Sequence, residues 1–289
     1  MHNNYIIEGA EHKMHQGQLF IKDGDFFPNF QPGLNNFKNF IINLVENNIG
    51  KSFVHFGDGD YYFLKKQEIG SATPGKRALS IPYTQFDITP FRQGWAKADY
   101  HCVEYLEANR RELLNELYPN QSTIPTEYLY GLTMNKWFFK QFAGKIGLIG
   151  ANSKLKIINE LMQRKEYQEY LGLEKFNDYI EIPEKFACDN LNNTINMVKK
   201  QLEQTESNTK IYLFGVGHVK SGLIHELPKI KNAVYVDIGA GIDAIAGLID
   251  RERPYAYGWI NYRMKNYNYS GIDLLHYRIN EDINLKIID

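Results

Sequence analysis

The sequence predicts an α/β fold of Rossmann-like type: a mostly parallel sheet with helices on both faces, plus an N-terminal helical or irregular segment and a Tyr-rich C-terminal tail. Three observations carry that expectation. From residue 145 onward, short β-prone apolar runs alternate with amphipathic stretches, the rhythm of parallel strands joined by helical crossovers. Glycine or aspartate clusters follow directly after several of those runs, where such sheets carry their ligand loops. A chain of 289 residues, 43% hydrophobic and 23% charged, has a globular composition and length enough for a large core.

Taken in order, the opening of the chain is mixed, punctuated by Gly24, Pro28 and Pro32, and reads as irregular or edge-strand material. Phe37, Ile41, Ile42 and Val45 then recur at helical spacing, with Gly50 as the stop. Residues 52–56 form a short strand, and residues 61–66 begin a helix. Residues 98–117 read as one amphipathic helix with Val103, Leu106, Leu113, Leu114 and Leu117 on its apolar side. Strands are expected at 145–149, 179–182, 210–214 and 233–238, with helices at 154–171, 191–204 and 219–227 between them. The Tyr-rich stretch 255–277 suits packing over the sheet, although its rings would also stack on a sugar or base. All of this fits one domain over residues 1–289, with 1–51 as an N-terminal addition and 250–289 as a tail.

Charge narrows the function. Lys and Arg number 33 against 34 Asp and Glu, a net charge of -1, which removes the basic footprint of a non-specific nucleic-acid binder or a polybasic membrane anchor. The longest apolar passage, 233–249, is broken by Asp237 and Asp243, so no membrane span is expected. Cys102 and Cys188 lie far apart and outside any CxxC pattern. With a polar N-terminus lacking a secretory signal, they suit a reducing, cytoplasmic setting. No His/Cys cluster has zinc spacing, and no Gly-x-Ser-x-Gly elbow is present.

The chemistry sits after the strands. Phe56-Gly57-Asp58-Gly59-Asp60 places two carboxylates one residue apart. If Gly57 and Gly59 allow a tight turn through positive φ, Asp58 and Asp60 reach one hard cation, Mn²⁺ or Mg²⁺. The same alternation also suits an ordinary surface turn. Gly215-Val216-Gly217-His218-Val219-Lys220 opens a helix after a strand, so the amides of Gly215 and Gly217 face a phosphate with His218 and Lys220 beside it. Tight helix–sheet packing demands the same glycines. Lys76 and Arg77, after Pro74-Gly75, read as a solvated loop before they read as a clamp on a diphosphate, and Ser153 would contact ligand or cap a helix. Val236-Asp237-Ile238-Gly239-Ala240-Gly241 resembles the first motif of S-adenosylmethionine-dependent methyltransferases, although that motif normally opens the sheet and here stands near its end.

In order along the chain, His55-Phe56-Gly57-Asp58-Gly59-Asp60, the segment Ile180-Glu181-Ile182-Pro183, the glycine loop after residue 214 and Asp237-Ile238-Gly239 resemble the GT-D-type glycosyltransferases. The resemblance covers about residues 52–243. It departs in having Asp-x-Asp where the family has Asp-x-Glu, and Ala240-Gly241 where the family often has a histidine before Asp243. It implies transfer of a sugar from a nucleotide-diphosphate donor, UDP-linked by analogy, to a hydroxyl of a glycan or glycoconjugate. Asp58 and Asp60 would then hold Mn²⁺ or Mg²⁺. Gly57, Gly59, Lys76, Arg77, Ser153, Gly215, Gly217, His218 and Lys220 would bind the donor. Asp243, and after it Asp237, would take the acceptor proton. The competing readings are a methyltransferase and a non-catalytic module that keeps the nucleotide-sugar fold.

Overall fold

The computed structural model describes residues 30–104, 108–205, 208–249, 259–270, 272 and 285–289. The expected irregular opening and much of the Tyr-rich tail lie outside these residues.

The first element is helix α1 (Phe30–Glu46). Its Leu34, Phe37, Ile41, Leu44 and Val45 are buried at helical spacing, and Phe37 meets Phe53 edge-on at 5.6 Å. The helix stops at Asn48, which adopts a left-handed φ of 52° while the Ile49 N–H donates to Leu44 O. Asparagine, not Gly50, therefore supplies the stop. Gly50 instead lets the chain pass close to Asn232, whose Oδ1 accepts its N–H at 2.6 Å.

Strand β1 (Lys51–His55), helix α2 (Asp58–Leu64), helix α3 (Thr89–Ala96), strand β2 (Tyr100–Val103), helix α4 (Ala108–Leu117) and strand β3 (Thr123–Pro125) follow. Helices α5 (Thr126–Met134) and α6 (Trp137–Gln141) lead to β4 (Ile146–Ala151), α7 (Asn152–Leu161), α8 (Lys165–Leu171), β5 (Asp178–Ile182) and α9 (Leu191–Gln204). The chain continues through β6 (Ile211–Gly215), α10 (Lys220–Leu223), α11 (Leu227–Ile230), β7 (Val234–Asp237) and α12 (Gly241–Ile245). A separate parallel pair, β8 (Asn261–Met264) and β9 (Leu285–Ile288), completes the described elements.

The main sheet has seven strands in the order β3-β2-β1-β7-β6-β4-β5, and every pairing is parallel. The fold is Rossmann-like α/β, as the strand–helix rhythm predicts. Neighbouring residues of the central strands point to opposite faces: Phe53, Leu213 and Val236 join one core layer, while Val54, Phe214 and Tyr235 join the other. The first layer lies under α1, α5, α6, α7, α8 and α12, and the second under α2, α3, α4, α9, α10 and α11. Trp259 and Tyr262 of the tail are buried in the first layer. Among the described residues no helix is long and apolar enough to cross a membrane.

One expected helix is wrong in its first third. Residues 98–117 hold β2 as well as α4. Because β2 is sandwiched between β1 and β3 and buried at His101, Cys102 and Val103, it lacks the polar alternation that marks a half-exposed strand. The expected helix 154–171 is two helices, interrupted at Arg164, whose backbone is extended (φ -103°, ψ 121°). The expected helix 219–227 is likewise split into α10 and α11, with Pro228 in the first turn of the latter.

From β1 the chain steps to β2 and β3 on one side. It returns at β4, steps to β5 on the other side, and then fills inward through β6 and β7. Adjacent β4 and β6 therefore send their following loops to opposite faces, to α7 and α10 respectively. Such a divergence opens a crevice beyond the strand ends, the switch point where α/β sheets bind ligands.

Candidate functional site

A cleft of about 160 Å³ occupies that crevice, between the loops after β4, β5 and β6 and the segment carrying Ser71 and Arg77. It is smaller than the roughly 300–1,000 Å³ that encloses a whole drug-sized ligand, with room for one end of such a molecule. Of the expected contacts, Arg77, Gly215, Gly217 and His218 line it, as does Lys154. Lys76 is exposed and Ser153 is half-buried, and neither is part of this lining. The Ser153 hydroxyl and N–H both donate to Glu184, at 2.7 and 3.2 Å, so a contact with the loop after β5 accounts for it.

Glycine geometry shapes the floor. A Cβ at Gly215 would lie 2.4 Å from the Gly239 carbonyl oxygen and 2.7 Å from Ile242, so only glycine lets these loops approach. Gly217 adopts φ +62° and turns the chain into a short 3-10 helix, Gly217–Val219. The Gly217 and His218 N–H groups open that turn and make no hydrogen bond to another described residue. Gly57 and Gly59 act differently from expectation. Gly57 is extended at φ -102°, and neither glycine has positive φ. A Cβ at Gly59 would sit 3.1 Å from His218 Cε1, so that ring would have to give by a few tenths of an ångström.

Beneath the cleft is a buried ionic knot. Lys220 Nζ lies 3.0 Å from Asp60 Oδ2, 2.9 Å from Asp237 Oδ2 and 2.6 Å from the His55 carbonyl oxygen, so the three ammonium protons have three acceptors. Asp237, 1% exposed, also accepts the N–H groups of His55 and Gly239 at 3.1 and 2.9 Å. Asp60 accepts the Gly57 N–H at 2.9 Å and stands 3.6 Å from His218 Nδ1. Burial alone would raise the Asp60 pKa, but Lys220, then His218 and the Gly57 N–H, hold it well below the usual carboxylate range. Burial disfavours the charge on Lys220, yet Asp237 and Asp60 together raise its pKa above that of an ordinary lysine.

The two motif aspartates take different partners. Asp58 is 60% exposed in its side chain and pairs with Arg110 at 3.0 Å, whereas Asp60 is enclosed by Lys220 and His218. Among the described residues no three His, Cys, Asp or Glu side chains converge as a metal site. Asp58 does not line the cleft and is paired with Arg110, so it offers a divalent ion one exposed carboxylate, the least that Mg²⁺-type ions take from protein. Asp60 does not fit in this arrangement, because Lys220 already neutralises it.

Asp243 is 5% exposed and forms an ion pair with Lys154 of the cleft. Asp237 is held by Lys220 and backbone amides and does not line the cleft. Sequence reasoning missed a second polar group at the end of β1. His55 Nε2 lies 2.9 Å from Glu104 Oε1, with the Tyr130 hydroxyl 3.4 Å away. Burial opposes charge on His55, but Glu104 outweighs it and raises the His55 pKa. Burial likewise opposes charge on Glu104, and His55 holds its pKa below the ordinary value. Glu104 went unnoticed because it follows β2, inside the stretch read as helix. Comparison of the chain with protein-family models, with curated proteins and with solved structures found no match.

Proposed function

We propose that the chain is a glycosyltransferase that moves a sugar from a nucleotide-diphosphate donor, UDP-linked in the simplest case, to a hydroxyl of a glycan or glycoconjugate. The observation that carries this reading is the cleft at the β4/β6 switch point, where Arg77, Lys154, Gly217 and His218 border one opening and the N–H groups of the last two have no acceptor among the described residues. Cations and backbone amides together suit a diphosphate. They also suit the charge that grows on it as the sugar departs, where losing one such donor costs on the order of 10²–10³ in rate. The buried Lys220, which follows the Gly217–Val219 turn, ties that segment to α2 and to the ends of β1 and β7. Asp243, beside Lys154, is the carboxylate proposed to take the acceptor proton. Asp58 is the carboxylate proposed to meet Mn²⁺ or Mg²⁺ arriving with the diphosphate, and such an ion, when bound, supplies Lewis-acid stabilisation of the leaving group.

The methyltransferase reading needs the strand-end acid to reach a cofactor. Asp237 is closed off, with Lys220 on one oxygen and the Gly239 N–H on the other, so the geometry favours glycosyl transfer. A thermal-shift screen with UDP, a panel of UDP-sugars and S-adenosylmethionine, each with and without Mn²⁺, tests the choice. A rise in melting temperature with UDP ligands is expected; a rise with S-adenosylmethionine alone would refute the proposal.

A further inference from the structure

Three polar side chains from separate elements form an arrangement that glycosyl transfer does not use. Ser71 lies in the 3-10 turn Gly70–Ala72, His218 in the turn Gly217–Val219, and Asp60 on α2. Ser71 Oγ is 3.1 Å from His218 Nε2, and Asp60 Oδ1 is 3.6 Å from Nδ1 on the opposite edge of the same ring. Phe63 stacks on that ring at 4.9 Å and 5°, which fixes its plane. His218 is 8% exposed, and its Nδ1 is a buried nitrogen with no hydrogen-bond partner. The nearby Asp60 carboxylate, kept ionised by Lys220, favours the proton on Nδ1 and leaves the Nε2 lone pair for the Ser71 hydroxyl. Nucleophile–base distances of this order mark an activated serine, and the base–acid contact is commonly long before substrate binds. Ser71 and His218 both line the cleft.

We propose that Ser71 is a nucleophilic serine, served by His218 as base and by Asp60 as the group that orients the ring, and that it cleaves short-chain carboxylic esters. The substrate class follows from the walls. The cleft is about 160 Å³, and Ala78, Ile182, Ala187, Cys188, Val216 and Val219 give it an apolar side, which suits an acyl group of a few carbons. The Gly217 and His218 N–H groups are the donors for the oxyanion. Ser71 Oγ bonds to the carbonyl carbon while its proton passes to His218 Nε2, and the carbonyl electron pair moves to oxygen. Return of that pair breaks the bond to the alcohol oxygen, which leaves with the proton from Nε2. Water then attacks the acyl-serine, giving its proton to Nε2. The acid departs as Ser71 recovers that proton, so ester and water become acid and alcohol. This inference does not rest on the glycosyl-transfer reading.

The test is covalent labelling of the full-length protein with a fluorophosphonate probe, in which Ser71 Oγ bonds to phosphorus and fluoride leaves. Peptide mass spectrometry is expected to place the adduct on Ser71. Ser71→Ala should abolish it, and His218→Gln should slow it 100-fold or more, with p-nitrophenyl acetate hydrolysis falling in parallel. Ser71 is half-buried and its removal deletes one hydroxyl, so that variant remains informative if His218→Gln fails to fold. A folded wild-type protein carrying no adduct on Ser71, or the same labelling rate in folded His218→Gln, would overturn the proposal. UDP calorimetry on the same samples reports separately on sugar transfer, so either reading can fail while the other stands.

Discussion

Lys220 is a buried cation with three acceptors. It is 6% exposed and ties Asp60 of α2 to Asp237 of β7 and to the carbonyl that ends β1. Removing one partner of such a buried set leaves uncompensated charge, which costs about 3–5 kcal/mol. Lys220→Met should therefore lose that much in urea unfolding, while replacing the exposed Lys76 should change little. The His55–Glu104 pair makes a pH-dependent contribution of defined sign. The raised His55 pKa means the folded state holds the proton more tightly, so the gain is complete below about pH 6.5. It fades as the pH climbs through the folded value. The lowered Glu104 pKa gives a gain present above about pH 4.3 and lost as the pH falls. The stability gap between wild type and Glu104→Gln should thus be widest near pH 5–6.5 and shrink toward pH 9; a gap constant across that range would contradict the pairing. At this scale the sequence displayed the reactive residue types but not their partners. Asp58 and Asp60 look equivalent in a Gly-Asp-Gly-Asp string, and only the fold sends one to solvent and the other to Lys220.

Helices were legible where one face meets water, and the central strands as short apolar runs between them. The α9 helix shows its apolar spacing plainly and was expected at residues 191–204, the span it occupies. Expected strands near β4, β5, β6 and β7 lie within two residues of those observed. The two missed strands have different causes: β2 is short and buried between β1 and β3, whereas β3 is a three-residue edge strand, too short to show any alternation. Local signals also cannot reveal close approach between distant loops, which is why the glycines of the motifs were assigned to turns or phosphates. Gly215 distinguishes the two roles. A methyl group there meets the Gly239 carbonyl, which belongs to the backbone, so Gly215→Ala should cost about 1–3 kcal/mol through overpacking. Gly217→Ala meets no atom within 4 Å and carries only the cost of φ +62°, about 1–2 kcal/mol. Denaturant midpoints that ranked the two variants in the reverse order would show that backbone conformation dominates over packing in this loop.

At the scale of the whole molecule, topology gathers what sequence separates. Residues near 71–77, 151–154, 182–188 and 215–219 border one cleft because β4, β5 and β6 are neighbours and the chain reverses its direction of travel between them. The alternation of strands and helices predicted a parallel sheet and ligand loops at its carboxyl edge, but strand order is not encoded in that rhythm. The position of the crevice between β4 and β6 therefore emerged only from the fold. Calorimetric titration of UDP and UDP-sugars into wild type and Arg77→Ala, with and without Mn²⁺, measures the central claim most directly. The account predicts binding to the wild type and a loss of about tenfold or more in the variant, the value of a charge-assisted contact to phosphate. No heat with any UDP ligand, or equal affinity in both proteins, would contradict it.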